Sequence, residues 1–274
     1  MNIVLKVFFS LPLIIIHLLG CFLGLLMYLL DAKFRDRTSK HINRSHIVSG
    51  KIATKNLIIS NAMHIGMALM ESFSIWFASN SRIKRFVKRT KNWGLIKKLK
   101  SKNKGIIFLT PHIGSFEITA QYYGLFSPIK VMFKPTERKW INNLTLSGRK
   151  KNLVTPVNIE LSGMKQIITA LKNGEAVGIL PDQVPPEGHG EWSSFFNQKV
   201  YSMTLVQKLH TLTKAPIIFA IGRRLKIGSG FEIELFEFKG SVTVKKIDEF
   251  IENIVKTSPE QYLWNYRRYK LPKS

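Results

Sequence analysis

Between Val7 and Leu30 no side chain carries a full charge, and only His17 is strongly polar. As a helix, about 24 such residues extend ~36 Å, enough to cross a hydrocarbon core of ~30 Å. Pro12 is tolerable near one end. A cleaved signal peptide has a shorter apolar region, and no small-x-small cleavage pattern follows Leu30. The stretch is therefore expected to be an uncleaved membrane anchor over residues 1–31. Lys33, Arg35, Arg37, Lys40 and Arg44 follow it at once, whereas Lys6 stands nearly alone before it. The positive-inside rule then places the bulk of the chain on the cytoplasmic side of a single span.

The chain is basic throughout, with 42 Lys+Arg against 17 Asp+Glu and a formal net charge of +25 in 274 residues. Such a field attracts nucleic acid, anionic lipid, phosphorylated substrates or an acidic protein. No zinc-finger, ribonucleoprotein or basic-zipper pattern supports nucleic acid. The one cysteine, Cys21, excludes an intrachain disulfide and a cysteine-based zinc cluster. A hydrophobic content of 45% is enough for one substantial core.

From Ser45 to Ala78 the spacing of apolar residues predicts a helix, whose Met and aromatic stripe is read as packing, with an acyl-channel lining as a secondary reading. From Ser81 to Lys104 apolar and basic residues interleave, as in a stretch that lies at a lipid surface or forms a solvated face. Residues 32–104 are thus read as a helical, membrane-proximal segment. Strands alternating with helices follow over 105–274, which predicts a central, mostly parallel sheet in an αβα sandwich. Tyr201–Lys214, Lys245–Lys256 and Pro259–Arg268 are expected helices.

The chemistry is expected where the first buried strand ends. Ile106–Leu109 runs into Thr110-Pro111, and then His112-Ile113-Gly114-Ser115-Phe116-Glu117. Five residues on a helix turn through about 500°, so His112 and Glu117 share no helix face. They meet only with His112 on the loop and Glu117 on the first helical turn, at a sheet edge where α/β proteins place ligands. A neutral imidazole can take a proton from a hydroxyl, and a carboxylate on its other nitrogen fixes the tautomer. Further on, Ala176–Leu180 delivers Pro181-Asp182-Gln183 at another strand end. A Phe195-Phe196 pair follows, and the chain closes through Trp264-Asn265-Tyr266-Arg267-Arg268-Tyr269-Lys270.

These stretches together resemble the lipid A late acyltransferase family, the lauroyl/myristoyl-type enzymes of lipopolysaccharide synthesis, and the likeness covers nearly the whole chain. That family carries His-x4-Asp/Glu after a strand, the strand-Asp-Gln turn, the Phe-Phe pair and a closing Trp-x-His-x-Arg-x-Lys. Three positions depart from it. Lys134 stands where Arg-Pro is usual, Asn197 where Gly follows the Phe pair, and Tyr266 where His is usual. Asn tolerates a left-handed turn, whereas Lys offers a phosphate only a point charge.

The resemblance implies a membrane-bound acyltransferase that moves a fatty acyl chain from acyl carrier protein to a hydroxyl of a phosphorylated lipid A precursor at the bacterial inner membrane. His112 would be the general base and Glu117 its orienting carboxylate. Arg149 would orient the acceptor or stabilise the oxyanion, the latter role being open also to backbone amides after His112. Lys134, Asp182 and Gln183 would serve substrate binding, with Asp182 alternatively capping a turn. No metal or organic cofactor is required, and no nucleic acid. The alternatives are a related acyltransferase using another glycolipid, a glycerophospholipid or acyl-coenzyme A, and a non-enzymatic basic scaffold tethered to the membrane.

Overall fold

The computed structural model describes residues 9–101, 104–135 and 138–272. Lys6 and Val7, with the rest of the first eight residues of the expected anchor, lie outside them. In chain order the elements are α1 (Leu13–Leu30), α2 (Ala32–Ser45), α3 (Lys51–Trp76), α4 (Asn80–Phe86), β1 (Val87–Lys91), α5 (Gly94–Lys100), β2 (Ile106–Leu109), α6 (Phe116–Tyr123), β3 (Ile129–Phe133), α7 (Lys139–Arg149), β4 (Val154–Asn158), α8 (Leu161–Lys172), β5 (Ala176–Ile179), β6 (Gly190–Phe195), β7 (Gln198–Met203), α9 (Leu205–Thr213), β8 (Ile217–Arg224), β9 (Phe231–Phe238) and α10 (Val244–Thr257). A 3-10 turn, Pro259–Gln261, follows.

Seven strands form one sheet in the order β1-β9-β8-β2-β5-β3-β4. β8, β2, β5, β3 and β4 run parallel, and β9 joins antiparallel to β8. The central strands are buried on both faces, which is why they read as unbroken apolar runs. Ile107 and Leu109 of β2 face a core shared with α8, α9 and α10, whereas Ile106 and Phe108 face one shared with α1, α4, α5 and α6. The expected αβα sandwich with a mostly parallel sheet is what the chain builds.

Three local expectations differ from the structure. Val87–Lys91 is an edge strand paired with β9 rather than part of one amphipathic stretch. Lys91 Nζ lies 3.1 Å from Glu232 Oε1, and Arg89 also pairs with Glu232, so cross-strand charge complementarity holds the edge. Residues ahead of 105 thus contribute one strand to the sheet. Tyr201–Lys214 divides into β7 and α9, because Gly190–Phe195 and Gln198–Met203 pair as a hairpin. Its two turn residues, Phe196 and Asn197, have φ of 48° and 57°, the type I′ geometry that matches strand twist. Asn197 thus does adopt the left-handed conformation. Pro259–Arg268 is helical only to Gln261. Beyond that, Tyr262 bridges to Ile113, and the Leu263 N–H donates to the His112 carbonyl (2.9 Å).

The apolar run forms its helix, α1, but not as a free tether. Gly20 and Gly24 lie against Gly66, Met67 and Ala62 of α3 so closely that a Cβ on any of the three glycines would collide with backbone. Both ends of α1 are also tied down. Ahead of it, Arg82 donates to the carbonyls of Ser10 and Leu11, and Ser74 Oγ donates to Phe9 O (3.0 Å). Behind it, Asp31 caps α2 by accepting the Phe34 N–H, and α2 is bound to Asn265 through Phe34 O, Thr38 and Arg37. The outward face carries Leu18, Phe22, Leu29 and Leu30, the last 76% exposed.

Candidate active site

Strands β2 and β5 are parallel neighbours, so their carboxyl ends deliver His112 and Asp182 to the same rim. The two side chains meet there. His112 Nδ1 lies 2.8 Å from Asp182 Oδ1, and the His112 backbone N–H donates to Asp182 Oδ2 (3.0 Å). Asp182 is almost fully buried. Burial pushes its carboxyl upward, but the His112 charge and the two bonds from His112 outweigh it and hold the group below its ordinary value. An ionised carboxylate only accepts hydrogen bonds, so in the neutral imidazole the single proton sits on Nδ1 and the lone pair on Nε2.

The imidazole is packed on both sides. Tyr266 stacks on it with centroids 5.9 Å apart and an interplanar angle of 11°, and Phe116 meets it edge-on at 5.0 Å. The Tyr266 hydroxyl accepts the Val184 N–H (3.0 Å), which ties the 182–184 turn to the ring that covers His112. The residue in the usual histidine position is therefore a packing group and a loop clasp. Burial keeps the Tyr262 phenol well above its ordinary value, so it stays a donor beside Asp182.

Glu117 does not orient His112. It is buried, and its oxygens are taken by a bidentate pair with Arg149 and by the Trp76 indole N–H (2.9 Å). The Arg149 guanidinium also lies over the Trp76 ring, 5.7 Å from its centroid. The orienting role assigned to Glu117 thus falls to Asp182, and Glu117 instead fixes Arg149. The reason is topological: β5 lies beside β2, whereas Glu117 sits on α6 and faces α3 and α7. The backbone oxyanion option also loses donors. The amides of Ile113, Gly114 and Ser115 already donate to Pro111, Gln261 and Gly222, at 2.7, 2.9 and 2.7 Å.

His112 and Arg149 line one cavity of about 1000 Å³, walled mainly by apolar groups such as Phe133, Leu161 and Met203. Lys134 and Gln183 line it too, and Lys134 is exposed at its edge. The cavity thus unites His112, Arg149, Lys134 and Gln183, with Asp182 behind His112 and Glu117 behind Arg149. Sequence reasoning missed Trp76, Tyr262 and Gln261 in this setting. Only the odd Tyr266 carried a signal.

A histidine paired with a carboxylate at the end of a parallel strand, at the wall of a mainly apolar cavity, is an arrangement suited to proton transfer beside an apolar substrate. The sequence profile of the bacterial lipid A biosynthesis acyltransferases matches residues 1–271, and the chain belongs to that family. It is 26% identical over 279 residues to the lipid A biosynthesis lauroyltransferase of Escherichia coli (strain K12), covering 95% of this chain and 87% of the relative. It is also 26% identical over 223 residues to the lipid A biosynthesis palmitoleoyltransferase of the same organism (79% and 72%). A lipid A biosynthesis acyltransferase of Haemophilus influenzae is 22% identical over 229 residues (78% and 70%). The chain is an acyltransferase.

Proposed function

We propose that this enzyme adds a secondary fatty acyl chain to a hydroxyl of a phosphorylated lipid A precursor, taking the chain from acyl carrier protein. The observation that carries this reading is the His112 imidazole, held by Asp182 with Nε2 free, at the wall of the apolar cavity. Nε2 takes the proton of the acceptor hydroxyl as its oxygen attacks the thioester carbonyl. The carbonyl oxygen gains negative charge, and the Arg149 guanidinium, fixed by Glu117, faces the cavity to stabilise it. Collapse breaks the C–S bond, and the imidazolium returns the proton to the departing thiolate. No covalent acyl-enzyme forms.

Lys134 supplies a point charge for an acceptor phosphate, Gln183 a polar contact, and the +25 net charge steers an acidic carrier protein and anionic lipid alike. The outer face of α1 seats the chain on the inner membrane, with the catalytic body on the cytoplasmic side. The test is in vitro transfer from carrier-linked acyl chains to purified lipid A precursor. His112→Ala is expected to abolish transfer without altering circular dichroism or membrane attachment. Near-wild-type turnover by that variant would refute the role of His112.

A further inference from the structure

A cluster of buried polar groups that takes no part in the proton transfer lies beneath α1. His17, Glu71 and Arg224 come from α1, α3 and the end of β8, and all three are essentially inaccessible. Arg224 grips Glu71 bidentately, with Nη2 donating to Oε2 (2.8 Å) and Nε to Oε1. His17 Nδ1 accepts the Gly228 N–H (3.0 Å), which leaves its proton on Nε2, 2.7 Å from Glu71 Oε1. On the other side Arg224 Nη1 lies 2.6 Å from His64 Nδ1. Burying such groups is expensive, and a packed apolar cluster of similar volume would serve stability as well or better. Stability alone does not account for it.

From Arg224 the bonds lead to the site. The Arg224 N–H donates to Gln261 Oε1 (2.9 Å), and Gln261 Nε2 donates back to Arg224 O (3.1 Å). The Gln261 main-chain carbonyl accepts the Gly114 N–H (2.9 Å), two residues past His112. Gly114 has φ of 61°, and a Cβ there would collide with Gly222 O, so the loop has little freedom of its own. Asn61, also on α3, donates to the carbonyls of Glu260 (2.9 Å) and Tyr262 (2.6 Å). Helix α3 thus holds the 259–262 segment from one side while Arg224 holds it from the other.

We propose that Gln261 and Arg224 are positioning residues for the reaction, and that α1, through His17 and Glu71, is the element that sets them. The docking of the first helix then fixes where His112 stands, so α1 serves catalysis as well as membrane attachment. The inference rests on the role given to His112 under the proposed function.

A double-mutant cycle in the full-length protein, read by acyl transfer, tests it. Gln261→Ala removes both side-chain bonds to Arg224, and Gln261→Glu keeps only the acceptor. His17→Ala cuts the link at α1. About a tenfold or greater fall in kcat is expected for each alanine variant, with KM for both substrates unchanged, as a sub-ångström to ångström misplacement of a base produces. Gln261→Glu should fall between wild type and Gln261→Ala. Because both sites act through one path, the double variant should be little worse than the worse single one. Multiplicative losses, or loss through KM alone, would overturn the relay. So would wild-type kcat in Gln261→Ala. Should His17→Ala fail to fold, His17→Gln, which keeps an acceptor for Gly228, takes its place with a smaller fall expected. Failure of the wild-type protein to transfer at all would instead count against the proposed function.

Discussion

Replacing Asp182 by Asn changes one atom yet reverses the logic of the site. Asp182 accepts two bonds from His112, one from the backbone N–H and one from Nδ1. An amide has a single acceptor oxygen. If that oxygen stays on the backbone N–H, its NH2 faces Nδ1, which must then give up its proton. The proton moves to Nε2, the only atom able to take one from the acceptor, and the base is lost. Loss of the same interaction in His-carboxylate enzymes lowers turnover about 10⁴-fold, or roughly 5.5 kcal/mol at ~1.4 kcal/mol per tenfold. Glu117→Gln keeps an acceptor for Trp76 and leaves His112 untouched, but loosens Arg149. Its loss should be on the order of 10- to 10²-fold, that of one weakened charge-stabilising group. The assay is single-turnover transfer from a carrier-linked acyl chain, followed by mass spectrometry, on variants matched by circular dichroism. An Asp182→Asn enzyme within tenfold of wild type, beside a Glu117→Gln enzyme down a thousandfold, would refute the assignment.

Other outcomes follow from the same geometry. Burial, then the Arg224 charge, pull the His64 imidazole from 6.5 down to about 3. Burial raises the Glu71 carboxyl, but the Arg224 charge and bonds prevail and bring it from 4.5 to about 2. Both groups bind protons more readily when unfolded. Their stabilisation is therefore intact above pH 6.5 and lost on acidification, first through His64 and below 4.5 also through Glu71. Urea midpoints in detergent should fall steadily from pH 7 to 4, less steeply in His64→Gln, and an unchanged slope would count against the account. Arg268→Met should cost on the order of 3–5 kcal/mol, because it strands the buried Asp248 that Arg268 pairs with at 2.7 Å. Its signature is a lower melting temperature with near-normal kcat in the folded fraction. Raising salt should increase KM for carrier protein and lipid and spare kcat, whereas a salt-independent KM would exclude steering.

Much of the fold could be read because the central strands are buried on both faces. Ile106–Leu109 and Ala176–Ile179 are therefore apolar runs with sharp edges. The hairpin over 190–203 was hidden because its turn is Phe196-Asn197, without the glycine that signals such a turn. Edge strand β1 was hidden because Lys88, Arg89 and Lys91 obscure its alternation. His112 was legible from its strand end, and so was Asp182, but their meeting was not. That depends on β5 lying beside β2 although it follows β3 and β4 in the chain. The nearer carboxylate, Glu117, drew the assignment by its proximity in sequence and by the His-x4-Asp/Glu pattern of the resemblance.

The two extremities of the described chain are interlocked. His41 Nδ1 lies 2.6 Å from Trp264 O, and Asn265 Nδ2 donates to Thr38 Oγ1 (3.1 Å). At ~5–20 residues per second, roughly 10–45 s separate synthesis of α2 from that of its clasp. For most of that interval α1 has emerged and can pack on α3, while Gly228 and Phe231, which meet its buried His17, do not yet exist. The membrane attachment proposed above would give the apolar side of α1 a temporary host in the meantime. Maturation would then be a handover, in which one side of α1 is passed from lipid to protein as the last residues arrive.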